Sequence, residues 1–254
     1  MKCNMKISII TPTYNSEDTI KETLQSISNQ TYRNIEHIVV DGLSSDNTCQ
    51  ILKEKSPQSI LISEKDDGLY YAMNKGIKRA TGDVISILNS DDVYYEDSVL
   101  DVVSEEFKNA DIDVLYGHIL FFGSNDKTKI VRIWKTGPIR RALVFLGWIM
   151  PHPAVFLRKR VYEEIGLFDT SFKNSADYDF LLRIIRLKKY KIKFCDNFFV
   201  KMRTGGTSDL TFIEKIKEWW VLIKIFNKNY GIYPVWFFVT RPTIKILQFF
   251  KTKF

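Results

Sequence analysis

Two adjacent carboxylates, Asp91 and Asp92, end the segment Asn89-Ser90-Asp91-Asp92, directly behind the apolar run from Asp83 to Leu88. At the end of a buried strand two such charges repel each other unless a cation lies between or beside them. Their hard oxygens suit Mg²⁺ or Mn²⁺, which take one or two carboxylates and fill their other positions with water and substrate phosphates. The bland alternative is that these acids only cap a helix starting near Glu96. Two more polar segments follow apolar runs in the same way, Thr11-Pro12-Thr13-Tyr14-Asn15 and Asp41-Gly42-Leu43-Ser44-Ser45-Asp46. Ligands of open α/β sheets bind beyond the carboxyl ends of the strands, so the three segments would face one site. No GxGxxG and no GxxxxGK[ST] follows a strand-like run, which separates this chain from dehydrogenases and P-loop enzymes. A diphosphate held here would be neutralised mainly by the metal.

The elements that must position these residues are read from hydrophobic period. Lys6 to Thr11 reads as a short buried strand broken by Pro12, and Ser16-Glu17-Asp18 opens a helix with Ile20, Leu24 and Ile27 inward. Ile35 to Val40 is the next strand, followed by a helix capped at Ser45-Asp46 and a strand from Ser59 to Ser63. Leu69, Ala72, Met73, Gly76, Ile77 and Ala80 form the strongest helical stripe in the chain, before the strand that ends at Leu88. Four alternations predict an α/β fold with a mostly parallel, doubly wound sheet. After Asp113 come strands at Val114 to Phe122, Lys129 to Trp134 and Ala154 to Leu157, with helices from Arg158 and from Asp177 to Leu187. No composition break divides the body before residue 210.

The ordered series Ser8 to Asn15, Val39 to Asp46, Glu64 to Gly76 (EKDDGLYYAMNKG) and Leu88 to Asp92 resembles the family 2 inverting glycosyltransferases of GT-A fold. The likeness is greatest to the bacterial branch that builds exopolysaccharide, capsule and O-antigen, and it covers residues 6–206. It implies a nucleotide-sugar half over 1–110 and an acceptor half over 111–210. It also implies a nucleotide-sugar pocket of Thr11, Pro12, Thr13, Tyr14, Asn15, Asp41, Asp66, Asn74, Lys75, Asp91, His152 and Arg203, with Asp41 reading the base. Asp91 and Asp92 would hold the metal, Mn²⁺ or Mg²⁺, with Asp92 the direct ligand. Arg203 and the following Thr204 to Ser208 would close over the diphosphate.

The resemblance places the catalytic base within Ser175 to Arg183, where relatives carry Glu-Asp and this chain has Ala176-Asp177. Periodicity puts Asp177 on the inward face, against Phe180 and Leu181. Asp179 stands four residues before Arg183, as a surface ion pair would. Asp177 is therefore the first candidate and Asp179 the second, with a plain helix cap the alternative for Asp177. The implied chemistry is proton abstraction from an acceptor hydroxyl as it attacks the anomeric carbon. UDP is the implied nucleotide, and a glycan or lipid-linked glycan the implied acceptor. Transfer to polyprenyl phosphate and nucleotidyl transfer are the enzymatic alternatives, and a basic peripheral binding protein is the non-enzymatic one.

The net charge is +7 over 254 residues, but it is unevenly spread. Residues 211–254 hold eight basic and two acidic residues together with three of the five tryptophans, whereas residues 1–210 are nearly neutral. A basic excess confined to an aromatic tail speaks against nucleic acid as partner and for an amphipathic helical segment lying on an anionic membrane. Packing against the body or a dimer contact is the alternative. Arg241-Pro242 and Lys245 interrupt any run long enough to span a bilayer. Three scattered cysteines and no secretory leader pattern predict a cytoplasmic protein at the inner face of the membrane.

Overall fold

The computed structural model describes residues 5–124, 126, 128–204 and 212–250, apart from the side chains of 212–215 and 245–250. The first half alternates β1 (Ile7–Thr13), α1 (Ile20–Ser28), β2 (Ile35–Asp41), α2 (Thr48–Lys55), β3 (Ile60–Ser63), α3 (Leu69–Arg79) and β4 (Val84–Ile87). These strands lie parallel in the order β3-β2-β1-β4. Ile7, Ile9, Ile10, Ile38, Val39, Val40, Val84 and Ile85 have no exposed surface. Helices cover both faces of such a sheet, which is why its strands read as unbroken apolar runs.

Helix α3 sits on β1 through Gly76. A Cβ at that position would stand 2.3 Å from Ile10 Cγ2, so only glycine lets helix and strand approach this closely. The buried stripe of α3 is Tyr70, Ala72, Met73, Gly76 and Ile77, while Leu69, read from the sequence as inward, is 48% exposed. Helical side chains lean toward the N-terminus, so a side chain at the first helical position reaches past the end of the helix. Likewise Ser16 to Asp18 do not open α1. The Ser16 carbonyl accepts from the N–H groups of Thr19 and Ile20, a turn ahead of the helix.

The second half contains β5 (Val93–Tyr94), α4 (Val99–Glu106), β6 (Val114–Phe122), β7 (Ile130–Trp134), α5 (Arg141–Phe145), a 3₁₀ turn (His152–Ala154), β8 (Val155–Arg158), α6 (Lys159–Ile165), α7 (Ala176–Leu187) and β9 (Ile192–Arg203). The sheet continues β4-β8-β6-β9-β5, with β7 paired to β6. Here it is mixed: β8 runs antiparallel to β4 and β6, and β9 runs parallel to β6 and antiparallel to β5. Strand β9 was not predicted from the sequence. Its Lys193, Asp196, Asn197 and Lys201 break both alternation and apolar continuity, and two register shifts against β6 accommodate them.

Two further helices, α8 (Phe212–Tyr230) and α9 (Phe237–Phe250), complete the described chain. The sequence reading made 211–254 an appendage to a body ending at 210. Instead α8 packs along α7, and its Leu222, Ile223, Ile225 and Phe226 join the same core as Phe180, Leu181 and Ile184. Phe237 at the start of α9 is fully buried there too. Among the described residues no helix is long and apolar enough to cross a membrane.

Candidate active site

The carboxyl ends of β2, β1 and β4 are neighbours in the sheet, and this brings Asp41, Thr13 and the Asn89–Asp92 loop to one edge. The loops are tied together there: Ser16 Oγ and Ser90 Oγ lie 2.9 Å apart, and Thr23 Oγ1 donates to the Asp92 carbonyl at 2.8 Å. Asp92 is 1% exposed. Its Oδ2 accepts from Asn89 Nδ2 at 3.0 Å, and its Oδ1 has no hydrogen-bond partner. Burial first, then the charge of Asp91, pushes the Asp92 pKa well above the usual carboxylate range. Asp91 is also raised by burial, against the opposing charge of Arg203. Thr13 Oγ1 and Asn89 Oδ1 are further buried oxygens without partners at this edge.

Buried polar atoms are nearly always satisfied, so the bare oxygens gathered at this edge are open to a bound group. Among the described residues no three His, Cys, Asp or Glu side chains converge to hold a metal ion. Asp91 and Asp92 alone nevertheless fit Mg²⁺ or Mn²⁺, since those ions need only one or two carboxylates when phosphates supply the rest. A cation beside Asp92 Oδ1 would take the open oxygen and offset the charge of Asp91 that helps to raise Asp92.

Several residues assigned to the pocket hold it together from behind. The Thr11 hydroxyl lies 3.0 Å from His37 Nε2 with no exposed surface, because Thr11 still belongs to β1 and points into the layer beneath β2. Asp41 is fully buried and accepts from Ser63 Oγ at 2.7 Å, from Cys49 Sγ at 3.1 Å and from the Ser44 hydroxyl and N–H. Those bonds outweigh burial and hold its pKa below the usual range. The Asn74 amide is taken up by the backbone of Phe168, giving and receiving at 3.0 Å. Pro12 is buried in β1 opposite Val40.

Of the other assigned residues, Tyr14 and Asn15 stand open at the edge, while Lys75 and Arg203 are partly covered. Tyr14 is 63% exposed, and Asn15 takes a positive φ of 46° with its side chain accepting from the Ser45 N–H at 2.9 Å. Lys75 bridges Glu64, at 2.7 Å, and Asp66. Arg203 donates through Nη2 to Glu22 at 2.9 Å, while its Nε is buried without a partner. The following residues 205–208, expected to close over a diphosphate, lie outside the described residues.

The two acids of α7 have opposite surroundings. Asp179 has no exposed surface and accepts from Arg183 Nε at 2.9 Å, Lys228 Nζ at 3.2 Å and Asn229 Nδ2 at 3.0 Å. The predicted pairing with Arg183 is present but buried, because α8 covers it. Asp177 is half-buried, and its Oδ1 accepts from the Tyr70 hydroxyl at 2.8 Å. His152 packs edge-on against Phe168 at 5.4 Å, its pKa lowered by burial against the opposing charge of Asp177. The sequence reading passed over Tyr70, Glu22 and the Ser16–Ser90 pair. Tyr70 lay inside a quoted motif but one position off the presumed helical stripe.

Residues 8–166 match the model of glycosyl transferase family 2. The chain belongs to this family. It is 35% identical over 183 residues to an uncharacterized glycosyltransferase of Mycobacterium tuberculosis, an overlap of 70% of this chain and 68% of that one. It is 32% identical over 181 residues to the PGL/p-HBAD biosynthesis glycosyltransferase of Mycobacterium bovis, covering 69% and 68%. Among solved structures, S. aureus TarS 1-349 with UDP-GlcNAc superposes with a TM-score of 0.65 at 20% identity, covering 98% of this chain and 76% of that one. The chain spans 44% of the longer TarS structure. The Pyrobaculum calidifontis mannosyltransferase PcManGT, in complex with GDP-Man and Mn²⁺, gives 0.66 at 17% identity, covering 94% and 70%. The fold is GT-A, and the chain is a glycosyltransferase.

Proposed function

We propose that this family 2 enzyme transfers a hexosyl group, with inversion, from a nucleoside diphosphate sugar, UDP first among them, to a hydroxyl of a lipid-linked glycan in cell-surface polysaccharide synthesis. The observation that carries this reading is the buried Asp92 with its bare Oδ1 beside a second carboxylate. Asp92 would hold a divalent cation through that oxygen with Asp91 beside it. Bound there, Mg²⁺ or Mn²⁺ would stabilise charge on the departing diphosphate. Tyr14, Asn15 and Thr13 face the nucleotide, Asp66 and Lys75 the donor, and Arg203 the phosphates. Asp177 accepts the proton of the acceptor hydroxyl as that oxygen attacks the anomeric carbon on the face opposite the nucleotide. Three donors already occupy the Asp179 carboxylate, which favours Asp177 for this role.

The place of work is the cytoplasmic face of the inner membrane. Trp220 on α8, Val235 and Trp236 in the link before α9 and Val239 on α9 are exposed, and Trp236 Nε1 donates to the Phe145 carbonyl at 2.6 Å, which brings exposed Phe145 and Leu146 alongside. Lys217 and Lys224 share the outward side of α8 with Trp220. Apolar rings flanked by lysines suit the interface of an anionic bilayer.

Thermal unfolding tests the donor site. UDP with Mn²⁺ should stabilise the chain more than either alone, by about 2.7 kcal/mol at a hundredfold excess over the dissociation constant. Asp92→Asn should abolish the metal-dependent part. Equal stabilisation by UDP in excess chelator would remove Asp91 and Asp92 from the metal role.

A further inference from the structure

We propose that Tyr70 is the positioning residue of the transfer, its hydroxyl holding the Asp177 carboxylate aimed at the acceptor. The inference rests on Asp177 being the base. The Tyr70 hydroxyl reaches Asp177 Oδ1 at 2.8 Å from the first turn of α3, while Asp177 stands in the first turn of α7. No side chain of its own segment caps α7, since Ser175 at the N-cap position makes no capping hydrogen bond. The Tyr70 hydroxyl meets Asp177 in that first turn instead. One phenol therefore reaches the uncapped first turn of α7 and donates a hydrogen bond to the carboxylate there.

The phenol is fixed in place. Tyr70 is 7% exposed, and its ring packs on Phe168 at 5.5 Å. Phe168 in turn is clamped through its backbone by both ends of the Asn74 amide on the next turn of α3. Burial first, then the charge of Asp177, drives the Tyr70 pKa upward, so it acts as a hydrogen-bond donor throughout the working pH range. A hydrogen bond to a carboxylate favours its charged form, and it occupies Oδ1, which leaves the proton of the acceptor hydroxyl to Oδ2. The titratable groups facing Asp177 are Tyr70 from α3 and His152 from the turn before β8. His152 is held toward its neutral form by burial, so the phenol is the hydrogen-bond donor that meets the carboxylate.

Tyr70→Phe keeps the ring and its contact with Phe168 and removes only the hydroxyl. In the full chain, the Asp177 carboxyl ¹³C resonance, assigned by its loss in Asp177→Asn, should titrate about one pH unit higher in Tyr70→Phe. Turnover is read with whichever of UDP-glucose, UDP-galactose, UDP-N-acetylglucosamine and GDP-mannose the unaltered chain hydrolyses fastest. The acid limb of its kcat profile should move up by the same amount, with kcat down about tenfold and the donor KM unchanged. A tyrosine that merely caps α7 would lower the unfolding temperature and leave the carboxyl titration and acid limb in place, and that result overturns the proposal. Full turnover in Asp177→Asn would sink the base assignment instead, whatever Tyr70→Phe does to the carboxyl titration.

Discussion

Asp177 and Asp179 stand two residues apart in one helical turn, yet one is half-open to the site and the other is enclosed by Arg183, Lys228 and Asn229. Opposite failures should follow from the same substitution. Asp177→Asn should lower turnover by about a hundredfold or more while barely changing the urea midpoint, because it removes proton acceptance and little else. Asp179→Asn should leave turnover of the folded fraction nearly intact and cost about 3 kcal/mol of stability, because its cationic partners stay behind in a buried place. Reversed effects would make Asp179 the base. At this scale the sequence was legible wherever a residue type has one job: the paired acids after β4 and the tyrosine and asparagine after β1 stand at the site edge. It was not legible for Thr11, Asp41 and Asn74, whose side chains turn to His37, to a cluster of hydroxyl and thiol donors, and to a backbone segment 94 residues away. Spacing says that such polar groups end a strand or face a helix, not which polar atom of a distant segment will meet them.

The elements of the first half follow from hydrophobic period because each is apolar on a regular face and has short polar links. Strand β9 escaped because its pairing with β6 and β5 is settled by tertiary contact, and its own residues give no period. The stripe of α3 was read one residue out at its start for a local reason, yet its central feature, Gly76, was legible as an inward position. Closeness at that position tests how tightly helix and strand are joined. Gly76→Ala should gain about 1 kcal/mol of helix propensity but lose about 3 kcal/mol to the collision with the Ile10 methyl, a net loss of about 2 kcal/mol. Urea unfolding of the single variant and of Gly76→Ala with Ile10→Ala checks this. The double variant should cost less than the two singles together, since each relieves what the other disturbs. Additive losses would show that α3 does not rest on β1 through this contact.

At the scale of the whole molecule, charge and aromatic content set residues 211–254 apart, whereas burial divides them differently. One side of α8 belongs to the core and the other carries Lys217, Trp220 and Lys224 outward. Composition could not reveal this, because lysines and tryptophans suit a membrane face while the leucine, isoleucine and phenylalanine between them suit a core, and both lie on one helix. Leu222, Ile223, Ile225, Phe226 and Phe237 are all buried, and at about 2 kcal/mol each they contribute about 10 kcal/mol. A domain's net stability is about 5–15 kcal/mol, so a chain lacking 211–254 should show no cooperative unfolding transition and no donor hydrolysis. The membrane face must therefore be tested by substitution. Val235→Glu with Val239→Glu changes two side chains that are 57% and 69% exposed, and it should leave the unfolding temperature and donor hydrolysis as they were. Sedimentation with vesicles of phosphatidylethanolamine and phosphatidylglycerol should fall to background for this variant. For the unaltered chain it should weaken with salt without vanishing, because screening removes the lysine attraction and leaves the rings inserted. An unaltered chain that never sediments with such vesicles at low salt, and instead forms a dimer that the same two substitutions dissolve, would show that this face meets a second copy and not a lipid surface.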